Sequence, residues 1–89
     1  MIPTIINLPM ANANQEYAAL LPPCNLVIIQ ARVAATIQLC YIQGQTNTNF
    51  ITLPAGTSKS IQFGQAGFNG AIYFMSSVPL NTMEIECWN

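Results

Sequence analysis

Glu84 and Glu86 stand two residues apart, the spacing that puts two carboxylates on one face of a strand. A facing carboxylate pair is raw material for general acid–base chemistry. No pocket-forming loop accompanies them, so they read as solvated carboxylates pointing outward. Cys24, Cys40 and Cys87 are the only thiols, and the chain has no histidine. A serine or cysteine nucleophile therefore lacks its usual base, which removes the common triads. With no Cys-x-x-Cys spacing, one chain cannot close a four-ligand zinc site alone. The cysteines read as small buried hydrophobes in a reducing environment, with one disulfide left open between Cys40 and Cys87 if their strands are neighbours. Gly64, Gly67 and Gly70 have a spacing like that of phosphate loops, but no helix follows to supply a dipole. Arg32, the only arginine, is expected at a strand end, bonding a carbonyl or Glu16, or facing a neighbour. No catalytic, metal or cofactor residue emerges, and the reading is not an enzyme.

Polarity in this chain comes from Asn, Gln, Ser and Thr rather than from ions. Two cations and three carboxylates make it 6% charged, where soluble domains average about 25%. So few ions suit a subunit packed into an assembly better than a free monomer, because near-neutral surfaces associate. Two cations cannot neutralise a phosphate backbone, so no nucleic-acid partner is expected. The longest strongly apolar run, Leu26-Val27-Ile28-Ile29, is far too short for a membrane helix, and no membrane partner is expected. Met1–Pro9 has no basic start and carries two prolines, so it is not read as a signal peptide.

The elements that position these residues are strands. In Thr82–Trp88, Met83, Ile85 and Cys87 alternate with Glu84 and Glu86; Ile37, Leu39 and Tyr41 share one parity, as do Ile61 and Phe63. Period-two alternation marks strands with one face in a core. Runs near 15–21, 25–32, 35–43, 49–53, 58–63, 71–76 and 82–88 predict an all-β chain, a small antiparallel β-sandwich or jelly roll of about seven or eight strands. Leu53-Pro54-Ala55-Gly56-Thr57 predicts a hairpin joining the fourth and fifth of these runs, with Pro at the second turn position. Gly64–Gly70 reads as a looser connection.

Residues 15–89 form the sandwich domain in this reading, and residues 1–14 stand apart. Ile2, Ile5, Ile6 and Leu8 are apolar, yet Pro3 and Pro9 hinder central-strand pairing. The segment is either an edge strand or an extended N-terminal arm laid on a neighbour; the hinge-like Ala11-Asn12-Ala13-Asn14 tilts the reading to the arm. Along the strands, parity turns Leu26 and Ile28 outward if Val27 and Ile29 point in, and Tyr73 and Met75 outward if Ile72 and Phe74 point in. Trp88 shares the outward parity of Glu84 and Glu86. With the four apolar residues of the N-terminal segment, these five make the expected interface, since exposed aromatics and Met are frequent anchors.

The succession Ala18-Ala19-Leu20-Leu21-Pro22-Pro23-Cys24-Asn25-Leu26-Val27-Ile28-Ile29-Gln30-Ala31-Arg32, then a valine/isoleucine strand, Leu53-Pro54-Ala55-Gly56 and a closing hairpin ending Glu84-Ile85-Glu86-Cys87-Trp88, resembles small virion proteins of tailed bacteriophages. The resemblance spans residues 15–89 and is one of architecture and turn chemistry. It implies a capsid decoration (cement) protein that binds the major capsid protein on the virion surface, assembles in the host cytoplasm, and forms a homo-oligomer, a trimer being favoured. A fibre or tail accessory subunit is the less frequent alternative. The chain departs from that pattern in loop 44–49, which lacks a tyrosine-rich stretch, and in its apolar first ten residues. Two other readings stand beside it: a glycan-binding β-module using Gln43–Asn49 with Tyr41 or Trp88, and a β-protein that polymerises by donating its first strand.

Overall fold

The computed structural model describes residues 2–64 and 67–89. Met1, Gln65 and Ala66 lie outside the described residues, so the Gly64–Gly70 connection is seen only at its ends. Eight strands follow in chain order: β1 (Thr4–Met10), β2 (Glu16–Cys24), β3 (Leu26–Ala31), β4 (Ile37–Cys40), β5 (Ile51–Leu53), β6 (Ser58–Gln62), β7 (Phe68–Ser76) and β8 (Asn81–Trp88). They form two four-stranded antiparallel sheets, ordered β1-β8-β3-β6 and β2-β7-β4-β5. The all-β sandwich expected from the alternation is what the chain builds.

One face of each sheet is apolar because its strands keep strict parity. The first sheet contributes Met10, Val27, Ile29, Met83, Ile85 and Cys87, and the second Ala19, Leu21, Ile37, Leu39, Leu53, Ile72 and Phe74, all buried in one cluster. Burying a side chain of this size is worth about 1.5–3 kcal/mol, so a dozen of them carry the fold.

Among the described residues, β4 and β5 are the only consecutive strands that pair. The expected hairpin between β5 and β6 is therefore absent: β5 bonds to β4 and β6 to β3, in different sheets. The Leu53–Thr57 turn carries the chain across the sandwich instead. Its bond runs from the Thr57 N–H to the Pro54 carbonyl (3.3 Å), so Pro54 opens the turn rather than filling its second position. Gly56, at φ +75°, takes the left-handed site. The closing hairpin fails for the same reason, since β7 and β8 belong to opposite sheets.

Residues 4–10 form an edge strand paired within this chain's own sheet. Thr4 to Met10 register against Cys87 to Asn81, which sets Ile6 opposite Ile85 and Leu8 opposite Met83. That register turns Ile6 and Leu8 inward, half-buried against the core. Pro9 is tolerated because an edge strand needs fewer ladder donors. The other three edges are blunted as well. β2 bulges by one residue at Pro22-Pro23, β5 has three residues and stops at Pro54, and β6 carries Lys59. Short, charged or proline-bearing edges resist pairing with a second chain.

Candidate interaction surface

The outer face of the β1-β8-β3-β6 sheet is built in cross-strand rows. One row reads Ile5, Glu86, Ile28, Ser60; the next reads Asn7, Glu84, Gln30, Ser58. Trp88, Leu26 and Gln62 make a third row. The apolar side chains thus gather on the half nearer Trp88 with Glu86 among them, and Glu84 sits beside Arg32. Ile5 is 67% exposed, while Leu26, Ile28 and Trp88 are half-buried by their neighbours. A shallow groove of about 340 Å³ runs between Ile5 and Ile28, with Glu84 and Glu86 along its floor.

Each carboxylate on this face has its own partner. Glu84 accepts hydrogen bonds from Gln30 Nε2 (2.8 Å) and Arg32 Nε (3.0 Å), and Arg32 Nη2 also donates to Asn7 Oδ1 (3.3 Å). The Gln30 and Arg32 hydrogen bonds, with the guanidinium charge, outweigh slight desolvation and hold the Glu84 carboxyl below its ordinary range. Glu86 accepts from the Trp88 indole Nε1 (2.8 Å), which fixes the ring on the sheet surface. The two carboxylates share a face, as the spacing requires, but are engaged separately. Arg32–Glu84 is the ion pair among the described residues, and Arg32 does not reach Glu16.

Glu16 serves the opposite sheet. Its carboxylate accepts the Gly44 N–H (2.9 Å), the Thr46 hydroxyl (2.8 Å) and, at 3.4 Å, the Thr46 N–H. Burial alone would raise this carboxyl; the bonds from Gly44 and Thr46 outweigh it and leave the group below its ordinary value of 4.5. Glu16 sits on β2, beyond β7 from β4, so the β4–β5 loop must cross β7 to reach it. Met75, flanked by Glu16 and Gln38 on that outer face, is consequently only 5% exposed. Cys40 is buried on the same face, donating its S–H to the Ile42 carbonyl at 3.1 Å.

Of the nine expected interface residues, Ile5, Leu26, Ile28 and Trp88 come together on one outer face. Ile2 precedes β1 and is 92% exposed. Tyr73 is half-buried on the other sheet's outer face. Ile6 and Leu8 turn toward the core, half-buried, and Met75 is buried on the other sheet, so these three do not join that face. Parity missed a second apolar group: Tyr41, Ile42, Phe50 and Ile51 are exposed at the two ends of the β4–β5 loop. They lie around a groove of about 220 Å³ that also includes Gln45 and Asn49. Behind it, Phe63 stacks on Phe68 (4.7 Å between centroids) and Tyr41 meets Phe68 edge-on at 6.3 Å. The sequence offered Tyr41 both as part of a strand and as a stacking residue beside Gln43–Asn49, but gave no periodic signal for Ile42, Phe50 and Ile51.

Gly67 has a packing role. At φ +72° it leads into β7, and a Cβ there would lie 3.0 Å from Asn25 Oδ1 and 3.1 Å from the Cys24 carbonyl oxygen, so glycine is needed for close packing. Among the described residues, no three His, Cys, Asp or Glu side chains gather as metal ligands. The chain matches no family model, no curated protein and no solved structure.

Proposed function

We propose that this chain is a virion structural protein that binds the outer surface of a tailed-phage capsid through the β1-β8-β3-β6 face and cements neighbouring capsomers. The observation that carries the reading is that face. It is broad and open, its ions are partnered within the chain (Arg32 with Glu84, Glu86 with the Trp88 indole), and it is anchored by Ile5, Leu26, Ile28 and Trp88. Aromatic and aliphatic anchors with a polar margin are what a stable contact uses. The blunted edges weigh against strand donation as the mode of assembly.

The nested partners β1–β8, β2–β7, β3–β6 and β4–β5 support reading the sandwich as a jelly roll, because one long antiparallel ribbon folded over on itself produces them. Cementing then follows from interface physics. A capsid fails where capsomers part, and a subunit bound across that seam adds contact that must also break. About 1,200–2,000 Å² of well-packed interface gives stable association. A trimer would add several such footprints and raise the effective affinity by orders of magnitude. With the ions of this face already partnered within the chain, occupancy should hold across a wide range of salt.

The test is to mix the purified chain with undecorated phage heads and locate it by cryo-electron microscopy. Ile28→Glu should abolish lattice occupancy while leaving the fold intact. Full occupancy by Ile28→Glu, or contact through the β2-β7-β4-β5 face, would reject the proposed docking face. A second reading rests on its own observation: Tyr41 and Phe50 flank one groove with the amides of Gln45 and Asn49. Aromatic faces beside neutral donors and acceptors suit the C–H and hydroxyl surfaces of a glycan. Glycan-array binding lost in Tyr41→Ala and kept in Ile28→Glu would favour it.

A further inference from the structure

Cys24 closes β2 in one sheet and Cys87 lies near the end of β8 in the other. The chain changes sheets between β2 and β3 through Asn25 alone. That corner is clamped: the Asn25 N–H donates to the Trp88 carbonyl, and the Asn25 carbonyl accepts the Phe63 N–H, each at 2.8 Å. The first of these bonds ties the residue after Cys24 to the residue after Cys87. Gly67 packs directly on the same corner. Both cysteines are 2% exposed and belong to one core cluster, where each thiol influences the other's ionisation. Cys40 is committed elsewhere, on the outer face of β4 with the Ile42 carbonyl, so it does not pair with Cys87.

We infer that Cys24 and Cys87 are an oxidation site: a dithiol that closes to an inter-sheet disulfide under oxidising conditions and fastens the two sheets at the end where Asn25 crosses. With a low-molecular-weight disulfide such as glutathione disulfide as oxidant, one protein thiolate attacks a sulfur of the oxidant and expels one thiol. The second protein thiolate then attacks the protein sulfur of that mixed disulfide and expels the other. Two S–H bonds are lost from the chain, one S–S bond is formed, and the oxidant's S–S bond becomes two thiols. Burial, followed by the proximity of Cys24, pushes the Cys87 thiol up to about 11, so few thiolates exist at neutral pH. Closure is therefore slow and accelerates as pH rises. The chain stays a dithiol where thiols are kept reduced and crosslinks only after prolonged exposure to an oxidising medium.

The test incubates the full chain with glutathione disulfide at rising pH and follows intact mass, peptide mapping and melting. Expected are a mass lower by two hydrogens, a crosslinked peptide pair containing Cys24 and Cys87, and a Cys40 that still takes an alkylating reagent after denaturation. The melting temperature should rise by on the order of 10 °C, because the crosslink closes a long loop in the unfolded chain. Cys40→Ala should behave identically, which keeps the test decisive even where Cys24→Ala or Cys87→Ala folds poorly. Only mixed disulfides with glutathione, a Cys40-linked dimer, or an unchanged mass would each overturn the inference.

Discussion

The two outer faces of this sandwich start from the same pattern and end differently. Each is the outward parity of a four-stranded sheet, and each carries apolar side chains: Ile5, Leu26, Ile28 and Trp88 on one, Leu20, Tyr73 and Met75 on the other. On the β2-β7-β4-β5 face, the β4–β5 loop is drawn across β7 and bonded to Glu16, which buries Met75 and Cys40. On the β1-β8-β3-β6 face no comparable loop crosses among the described residues. Outward parity is thus a necessary condition for a docking surface and not a sufficient one. A single carboxylate with three donors decides which face is left open.

The comparison can be tested from its foundation upward. Phe74→Ala removes the largest side chain of the core that both faces share and should cost about 3–5 kcal/mol in denaturant unfolding. Equal loss of order on the two faces by hydrogen exchange is expected; selective loss on one would mean the faces do not rest on a common core. Next in size is the contrast between two outward residues. Met75→Ala, beneath the loop, should cost about 2 kcal/mol, whereas Ile28→Ala, on the open face, should cost less than about 1 kcal/mol. Similar costs would break the distinction between a covered and an open face.

Glu16→Gln addresses the fastening itself. Because the folded carboxyl sits below its ordinary value of 4.5, its contribution is complete above that value and fades as pH falls through the lowered one. The melting temperature of wild type should therefore exceed that of Glu16→Gln at neutral pH and approach it in acid. Glu84 is shifted in the same direction, so the variant keeps part of its acid sensitivity. A gap that stays constant with pH would remove Glu16 as the fastening. The smallest effect is expected at Leu80, an exposed residue held at φ +54° in the β7–β8 turn. Leu80→Asn should gain about 0.5–1 kcal/mol in thermal or chemical unfolding, since asparagine adopts the left-handed region more easily. No gain there would mean the turn relaxes around leucine without strain.

Most strands were legible because alternation is a local signal. Met83, Ile85 and Cys87 against Glu84 and Glu86 needed only their own order to be sorted into inside and outside, and β3 and β7 followed the same rule. The partnering of strands was not legible in that way. Leu53–Thr57 reads as a hairpin by turn chemistry, yet a turn that reverses direction serves equally well to cross between sheets. Ile6 and Leu8 look like surface residues until their register with Ile85 and Met83 is known. Asn81 gave no signal at all. It is 2% exposed, accepts the Val33 and Thr82 N–H groups, and donates to the Val33 carbonyl and Ser76 Oγ, tying two loops at one end.

Composition and period two were enough by themselves to determine an all-β chain short of ions, with a known set of residues facing a core. Tertiary structure alone decided which strands meet, which thiols share the core, and which outward face stays uncovered. The physical reason is range. Side-chain alternation is set between neighbours a few ångströms apart along one strand, whereas register, cysteine proximity and loop coverage are set by contacts between residues tens of positions apart.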